Sequence, residues 1–295
     1  MSFSANVKEE LEKLISRGRH CQMAEAAAII SLLGKVKNDG NGHDFIQVSS
    51  ENIAIIRKLF TLLKKAFKIK VVVEVRKQMY GKKTPIYAIK IPYHEEFYQK
   101  CIAPDLMHSC CKRAYIRGAF LSSGSIADPL KSYHLEIVTN SLERAEMIEK
   151  TINSFQVEGK TIQRKRNFVV YLKEGSQIVE LLNVMEAHNA LMELENVRIL
   201  KDVRNRVNRK VNCETANITK TVSASVKQMQ DIELLRTKLG LDNLPPNLEE
   251  MARVRVEYPD VALKELGELL NPPVGKSGVN HRLRKLSNMA EELRD

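Results

Sequence analysis

Apolar positions along this chain change period in a regular order. "CQMAEAAAIISLLG" repeats its apolar residues at helical spacing, and "DFIQVS" alternates as a strand does. Ser49 and Ser50 are candidate caps for the next amphipathic helix, "ENIAIIRKLFTLLKKAF". "IKVVVEVRK" and "TPIYAIKI" alternate on either side of Tyr80, Gly81, Lys82 and Lys83, which predicts a hairpin. The short helix "EEFYQKCI" closes the stretch.

The same order then returns. "CKRAYIRGAFLSS" reads as helix and "YHLEIVT" as strand, and Asn140 and Ser141 begin the helix "LERAEMIEKTINSF". "KTIQRKR" and "FVVYLKE" make a second hairpin, with "SQIVELLNVMEA" helical after it. The two stretches register at a separation of 90 residues, placing Gly34 on Gly124, Ala24 on Ala114, Ala28 on Gly118 and Val48 on Val138. This predicts a duplicated αββαββα unit forming one pseudo-symmetric domain. Ala24 and Ala28, with Ala114, Gly118 and Ser122, form small-residue stripes that would let two helix backbones approach closely. A helix laid on a sheet would carry similar stripes.

The pattern changes beyond residue 197. From Arg198 to Lys210 there are six basic residues and one acidic, followed by a run rich in Asn and Thr. The region from 225 onward reads as helices only. "VKQMQDIELLRTKLG" stops at Gly240, and Pro245 and Pro246 open "NLEEMARVRVEY". The expected class is therefore α+β, with an N-terminal domain over 1–208 in halves of about 1–105 and 106–208. A basic and polar linker is expected over 209–224 and an all-α domain over 225–295.

Composition narrows the function classes. No apolar run approaches 18 residues, and the charged N-terminus lacks the apolar centre of a signal peptide, so a cytoplasmic location and no membrane partner are expected. The net charge is +11, and it is uneven. Residues 211–295 hold 12 basic and 13 acidic residues, which leaves 35 and 23 for residues 1–210. An excess of this size favours a polyanion, nucleic acid first.

Catalytic and metal chemistry find little in the linear order. The five cysteines, Cys21, Cys101, Cys110, Cys111 and Cys213, form no CxxC pair and read as reduced, buried thiols. Zinc-finger spacing is absent. Six of the histidines lie far apart with no nucleophile at catalytic spacing, and His134 reads as a core or edge residue. "VGKSG" ends like a phosphate loop, but Leu270 occupies the position where that loop requires glycine. No cofactor, metal ligand or catalytic residue is expected.

The C-terminal segment carries the strongest signal. "ALKELGELL" puts Leu263, Leu266, Leu269 and Leu270 on one face, and Gly267 allows a close neighbour. Asn271, Pro272 and Pro273 break the helix. The next helix is expected to start at Ser277 as N-cap, with Val279, Leu283, Leu286 and Ala290 as its inward stripe. Ser277, His281, Arg284 and Asn288 lie opposite that stripe, Asn280 and Lys285 flank them, and Arg282 lies nearer the core edge. Arg and Asn can make paired hydrogen bonds to guanine and adenine edges, while Lys, Ser and further Arg reach phosphates. The pattern fits a helix-turn-helix reading a major groove, with double-stranded DNA as partner. A solvated basic face on an ordinary helical hairpin is the competing reading.

Three stretches, "AYIRGAFLSSGSIADP…YHLEIVTNS", "NRKVNCETANITKTV" and "LKELGELLNPPVGKSGVNHRLRKL", resemble the WhiA family of bacterial regulators, and the resemblance spans nearly the whole chain. It implies an N-terminal domain of the LAGLIDADG homing-endonuclease fold and a C-terminal helix-turn-helix joined by a flexible linker. It also implies transcription regulation in sporulation, cell division or chromosome segregation, with nucleoid association. In LAGLIDADG nucleases an acid at the end of each central helix holds a catalytic divalent metal. Those positions fall on Leu33 and Ser123 here, which argues against cleavage. Asp128 lies beyond the helix, before Pro129.

A saddle of that fold would offer Lys82 and Lys83 in one hairpin and Arg164, Lys165 and Arg166 in the other as auxiliary DNA contacts. Arg204, Arg206, Arg209 and Lys210 would join them. Solvated turns, or a surface for RNA polymerase or another transcription regulator, are the alternatives. A metal-dependent endonuclease and a protein-recruiting scaffold are the competing functions.

Overall fold

The chain divides into two units, Met1–Lys201 and Asp202–Asp295, in a computed structural model that describes residues 2–40, 42–76 and 85–294. Helix α1 (Phe3–Lys13) buries Phe3, Val7 and Leu11 at helical spacing. Two copies of one element order follow. The first is α2 (Arg19–Leu33), β1 (Gly34–Asn38), β2 (Asp44–Ser50), α3 (Ile53–Leu62), β3 (Val72–Arg76), β4 (Ile86–Pro92) and α4 (Glu95–Ile102). The second is α5 (Ser109–Ser123), β5 (Gly124–Ile126), β6 (Leu135–Thr139), α6 (Leu142–Asn153), β7 (Lys160–Arg164), β8 (Asn167–Leu172) and α7 (Gly175–Met185). The fold is α+β, and α5 begins and ends 90 residues after α2.

Each copy folds one antiparallel sheet, in the orders β1-β2-β4-β3 and β5-β6-β8-β7. β1 ("GKVKN") and β5 ("GSI") are too polar or too short to alternate visibly. Pairing with their neighbours makes them strands: Gly34 lies opposite Val48, and Gly124 opposite Ile137. Capping differs from expectation at α3. Asn52 is its N-cap, with Oδ1 accepting from the Ala54 N–H at 2.9 Å, and Ser50 instead accepts from the Asn52 N–H. Ser141 caps α6 as expected. The expected hairpin tip with Lys82 and Lys83 lies outside the described residues.

α2 and α5 pack along their small residues. Ala24, Ala28 and Ala114 are buried, and a Cβ at Gly118 would stand 2.5 Å from the Glu25 carbonyl oxygen. Side chains larger than these would hold the two backbones apart. Cys21, Cys101 and Cys111 are buried, but Cys110 and Cys213 are exposed, so the reading of the cysteines as buried thiols holds for three of the five.

The division between units falls within α8 (His188–Lys238), a helix of 51 residues. Residues 209–224, expected as a linker, are helical, and every side chain from 202 to 224 is exposed. No Gly or Pro interrupts the segment. Its hydroxyls are accommodated within the helix: Thr219 and Thr221 donate to the carbonyls of Thr215 and Asn217 at 2.9 Å. Gly240, at φ 78°, ends the run.

α9 (Pro246–Glu257), α10 (Leu263–Glu268) and α11 (Lys276–Glu292) complete the second unit. Ile232 and Leu235 of α8 join Leu248, Met251, Leu266, Leu270, Leu283 and Leu286 in one core. Within "ALKELGELL" the buried face is narrower than expected. Leu266 and Leu270 are buried and Leu263 is half-buried, while Leu269 is 47% exposed. No helix of the described residues is long and apolar enough to cross a membrane.

Candidate nucleic-acid interface

The turn between α10 and α11 is set by backbone contact. The Val274 N–H donates to the Gly267 carbonyl at 3.0 Å, and a Cβ at Gly267 would stand 2.0 Å from the Val274 oxygen. Only glycine permits this doubling back. The cap of α11 is Gly275 rather than Ser277, so Ser277 lies inside the first turn with its hydroxyl available to solvent.

Val279, Leu283, Leu286 and Ala290 are all buried, which fixes the rotation of α11. The opposite side then carries Ser277, Asn280, His281, Arg284, Lys285 and Asn288, all exposed. Among the described residues, neither Arg284 nor Lys285 forms an ion pair within the protein. One surface thus offers the cations of Arg284 and Lys285 together with the hydrogen-bonding side chains of Ser277, Asn280, His281 and Asn288 along about three helical turns.

Arg282 stands apart from this group. Its guanidinium pairs with Glu250 of α9 at 3.6 Å and donates to the Asn247 carbonyl at 3.4 Å, and only 17% of its side chain is exposed. Glu250 also accepts from the Asn271 N–H at 2.6 Å, so one carboxylate joins α9, the α10–α11 turn and α11. Helix dockings of this kind hold the exposed face of α11 in place. Arg255 is buried beneath, donating to the Val261 carbonyl at 2.9 Å, and burial holds its pKa below the usual value.

The auxiliary residues occupy two places. Arg164, Lys165 and Arg166 are exposed at the β7–β8 turn, where Lys165 adopts φ 57°. Arg204, Arg206, Arg209 and Lys210 are exposed along α8.

The ends of the central helices complete the site geometry of the first unit. α2 ends at Leu33 and α5 at Ser123, each followed by a glycine cap. In a LAGLIDADG nuclease the hard divalent cation is held chiefly by carboxylate oxygens at these positions. A leucine side chain and a serine hydroxyl do not fit that need. Asp128 lies in the turn after β5, where its Oδ1 accepts from the Leu130 N–H at 2.9 Å.

Tandem sheet-and-helix units of LAGLIDADG type, followed by a helix-turn-helix, define the class. Three family models match in succession: the WhiA N-terminal LAGLIDADG-like domain at residues 19–101, the WhiA LAGLIDADG-like domain at 112–204, and the WhiA C-terminal HTH domain at 207–290. The chain belongs to the WhiA family. It is 49% identical over 312 residues to the probable cell division protein WhiA of Lachnoclostridium phytofermentans, with 100% of both chains covered. It is 45% identical to that of Thermoanaerobacter pseudethanolicus, covering 100% of this chain and 99% of the relative. The crystal structure of full-length DUF199/WhiA from "Thermatoga maritima" matches with a TM-score of 0.62 at 27% identity, covering 99% of each chain. That of the N-terminal LAGLIDADG domain of DUF199/WhiA matches at TM-score 0.52 and 24% identity, covering 62% of this chain and 92% of that one, and shares the fold.

Proposed function

We propose that this protein binds double-stranded DNA with sequence preference, without catalysing a reaction, and regulates transcription in the service of cell division. The exposed face of α11 carries the proposal. Its Arg284, Asn280 and Asn288 are side chains that can pair with base edges, and its buried stripe fixes which way they point. Ser277, His281 and Lys285 supply phosphate and further groove contacts. The name shared by the relatives directs the reading to cell division ahead of sporulation or chromosome segregation.

The exposed cations at the β7–β8 turn and along α8 add affinity that does not depend on sequence, as the excess positive charge of residues 1–210 favours. Leu33 and Ser123 support the absence of nuclease activity, because neither supplies an anionic oxygen where the motif requires one. Cross-linking the full chain to the chromosome in living cells and mapping the bound sites tests the reading. Discrete sites sharing a motif, some upstream of cell-division genes, are expected. Coverage that follows no motif, or that is unchanged by Arg284→Ala, overturns it.

A further inference from the structure

The first turns of α2 and α5 bring four ligand-type side chains together. His20 and Cys21 come from one half, and Cys110 and Cys111 from the other. The pairs are 90 residues apart, the separation of the internal repeat, so His20 is the counterpart of Cys110 and Cys21 of Cys111. His20 Nδ1 lies 3.1 Å from Cys111 Sγ, 3.3 Å from Cys21 Sγ and 3.9 Å from Cys110 Sγ. All four ligand atoms lie within 4.8 Å of one another.

The N···S distances, 3.1–3.9 Å, bracket those around one tetrahedral ion. Bonds of about 2.3 Å to sulfur and about 2.0–2.1 Å to nitrogen place tetrahedral N···S neighbours roughly 3.5 Å apart and S···S neighbours roughly 3.8 Å apart. An iron–sulfur cluster, with several irons and inorganic sulfides at its centre, would hold its cysteines farther apart than this group allows. Three thiolates and an imidazole favour zinc over the hard cations magnesium and calcium.

The surroundings support the same use. Neither helix has an acidic residue in its first turn, and Asp105, just before α5, lines the same pocket as His20, His108 and Cys111. Gly18 makes room for the imidazole, since a Cβ there would stand 2.8 Å from His20 Nε2. Cys21 and Cys111 are buried, whereas His20 and Cys110 reach solvent and leave an entry path. His108, the residue before α5, lies beside His20 with ring centroids 6.1 Å apart. Linear spacing hides the group, because each half contributes only an adjacent pair.

We infer that His20, Cys21, Cys110 and Cys111 form a structural zinc site on the pseudo-two-fold axis that clamps the N-terminal ends of α2 and α5. Binding converts three thiols to thiolates and releases three protons, while neutral His20 binds through Nδ1 and keeps its proton on Nε2. The site lies at the opposite end of the central helices from Leu33 and Ser123, about 20 Å away along a 15-residue helix, and serves no cleavage chemistry.

The test uses the full chain, expressed with zinc and purified without oxygen or chelator. Elemental analysis should find one zinc per chain. Exchange for Co2+ should give an intense thiolate-to-metal absorption and tetrahedral ligand-field bands. Cys110→Ser, at an exposed position that should leave folding intact, should weaken zinc binding at least tenfold and change the cobalt spectrum. Cys213→Ser should change neither. Chelation should lower the Tm of the unaltered protein but not of a Cys21→Ser, Cys111→Ser double variant. Protein that binds no zinc or cobalt, binds them equally well after Cys110→Ser, or instead forms a Cys21 disulfide with loss of two hydrogens overturns the inference.

Discussion

Glu25 on α2 accepts two hydrogen bonds from Arg117 on α5, at 3.0 Å from Nε and 3.5 Å from Nη2, in the seam between the two halves. Both side chains are at most 1% exposed. Lys58 of α3 adds a second cation, 3.0 Å from Glu25 Oε1, and also donates to the carbonyls of Leu11 and Leu14. Arg117 reaches Glu186 at 2.7 Å and Ser16 at 2.6 Å. One buried carboxylate therefore serves two cations, while each cation has partners of its own. Removing Glu25 leaves two buried positive charges facing each other. Glu25→Ala should cost about 3–5 kcal/mol. Arg117→Met should cost less, since Lys58 still neutralises Glu25. Urea unfolding of both variants checks the order, and an Arg117→Met loss equal to or larger than that of Glu25→Ala contradicts it.

Close packing of the central helices makes a second prediction. The contact of Gly118 with the Glu25 backbone leaves no room for a methyl group. Gly118→Ala should therefore destabilise by about 1–3 kcal/mol through overpacking, although alanine is the better helix former. A gain in stability would show that the helices adjust freely.

Burial of two weakly acidic groups predicts a loss of stability at alkaline pH. It pushes the Cys101 thiol and the Tyr115 hydroxyl each up to about 12. In the unfolded chain these groups lose their protons near about pH 8.5 and about pH 10. Above those values the native state holds protons that the unfolded state has released, so stability falls as pH rises toward 12. Each group contributes at most about 1.4 kcal/mol per pH unit. Cys101→Ala and Tyr115→Phe should each flatten the decline of stability measured between pH 9 and 12, and an unchanged slope in both would place the sensitivity elsewhere.

The division of labour in DNA binding is separable by salt. Arg284→Ala should relax preference at one base position by about 1–3 kcal/mol in a selection from random duplexes. Replacing Arg164, Lys165 and Arg166 together by alanine should weaken binding to all sequences alike. It should also lower the dependence of log K on log salt by about one for each phosphate left without its cation. Equal weakening across sequences in both variants would remove the assignment of α11 to base reading.

Much of this was legible because it is periodic. The repeat, the small-residue stripes and the buried face of α11 are spacing patterns, and spacing is what a sequence displays. Other features depend on partners distant in the chain. β1 and β5 become strands only by pairing with β2 and β6, as Gly34 does with Val48. The Asn- and Thr-rich run at 209–224 has the composition of a linker, yet its hydroxyls bond to carbonyls one turn back and leave it helical. Glu25, Lys58 and Arg117 look like surface charges on their separate helices, and only the packing of α1, α2, α3 and α5 buries them together. Within α11, helical rotation places Arg282 near the core edge but cannot identify Glu250 as its partner.

That partner gives the last prediction. Arg282 belongs to the basic cluster of α11 in sequence, yet its guanidinium is turned toward α9, where Glu250 and the Asn247 carbonyl hold it. If its role is to fix α11 on α9, Arg282→Ala should weaken DNA binding without changing which bases are preferred, and should lower the stability of the full chain. Glu250→Ala should do the same, with the further loss of the acceptor for the Asn271 N–H. The double variant should then be less impaired than the sum of the two, with a coupling of about 0.5–3 kcal/mol. An arginine that instead reads a base would give additive effects with Glu250→Ala and an altered motif after Arg282→Ala.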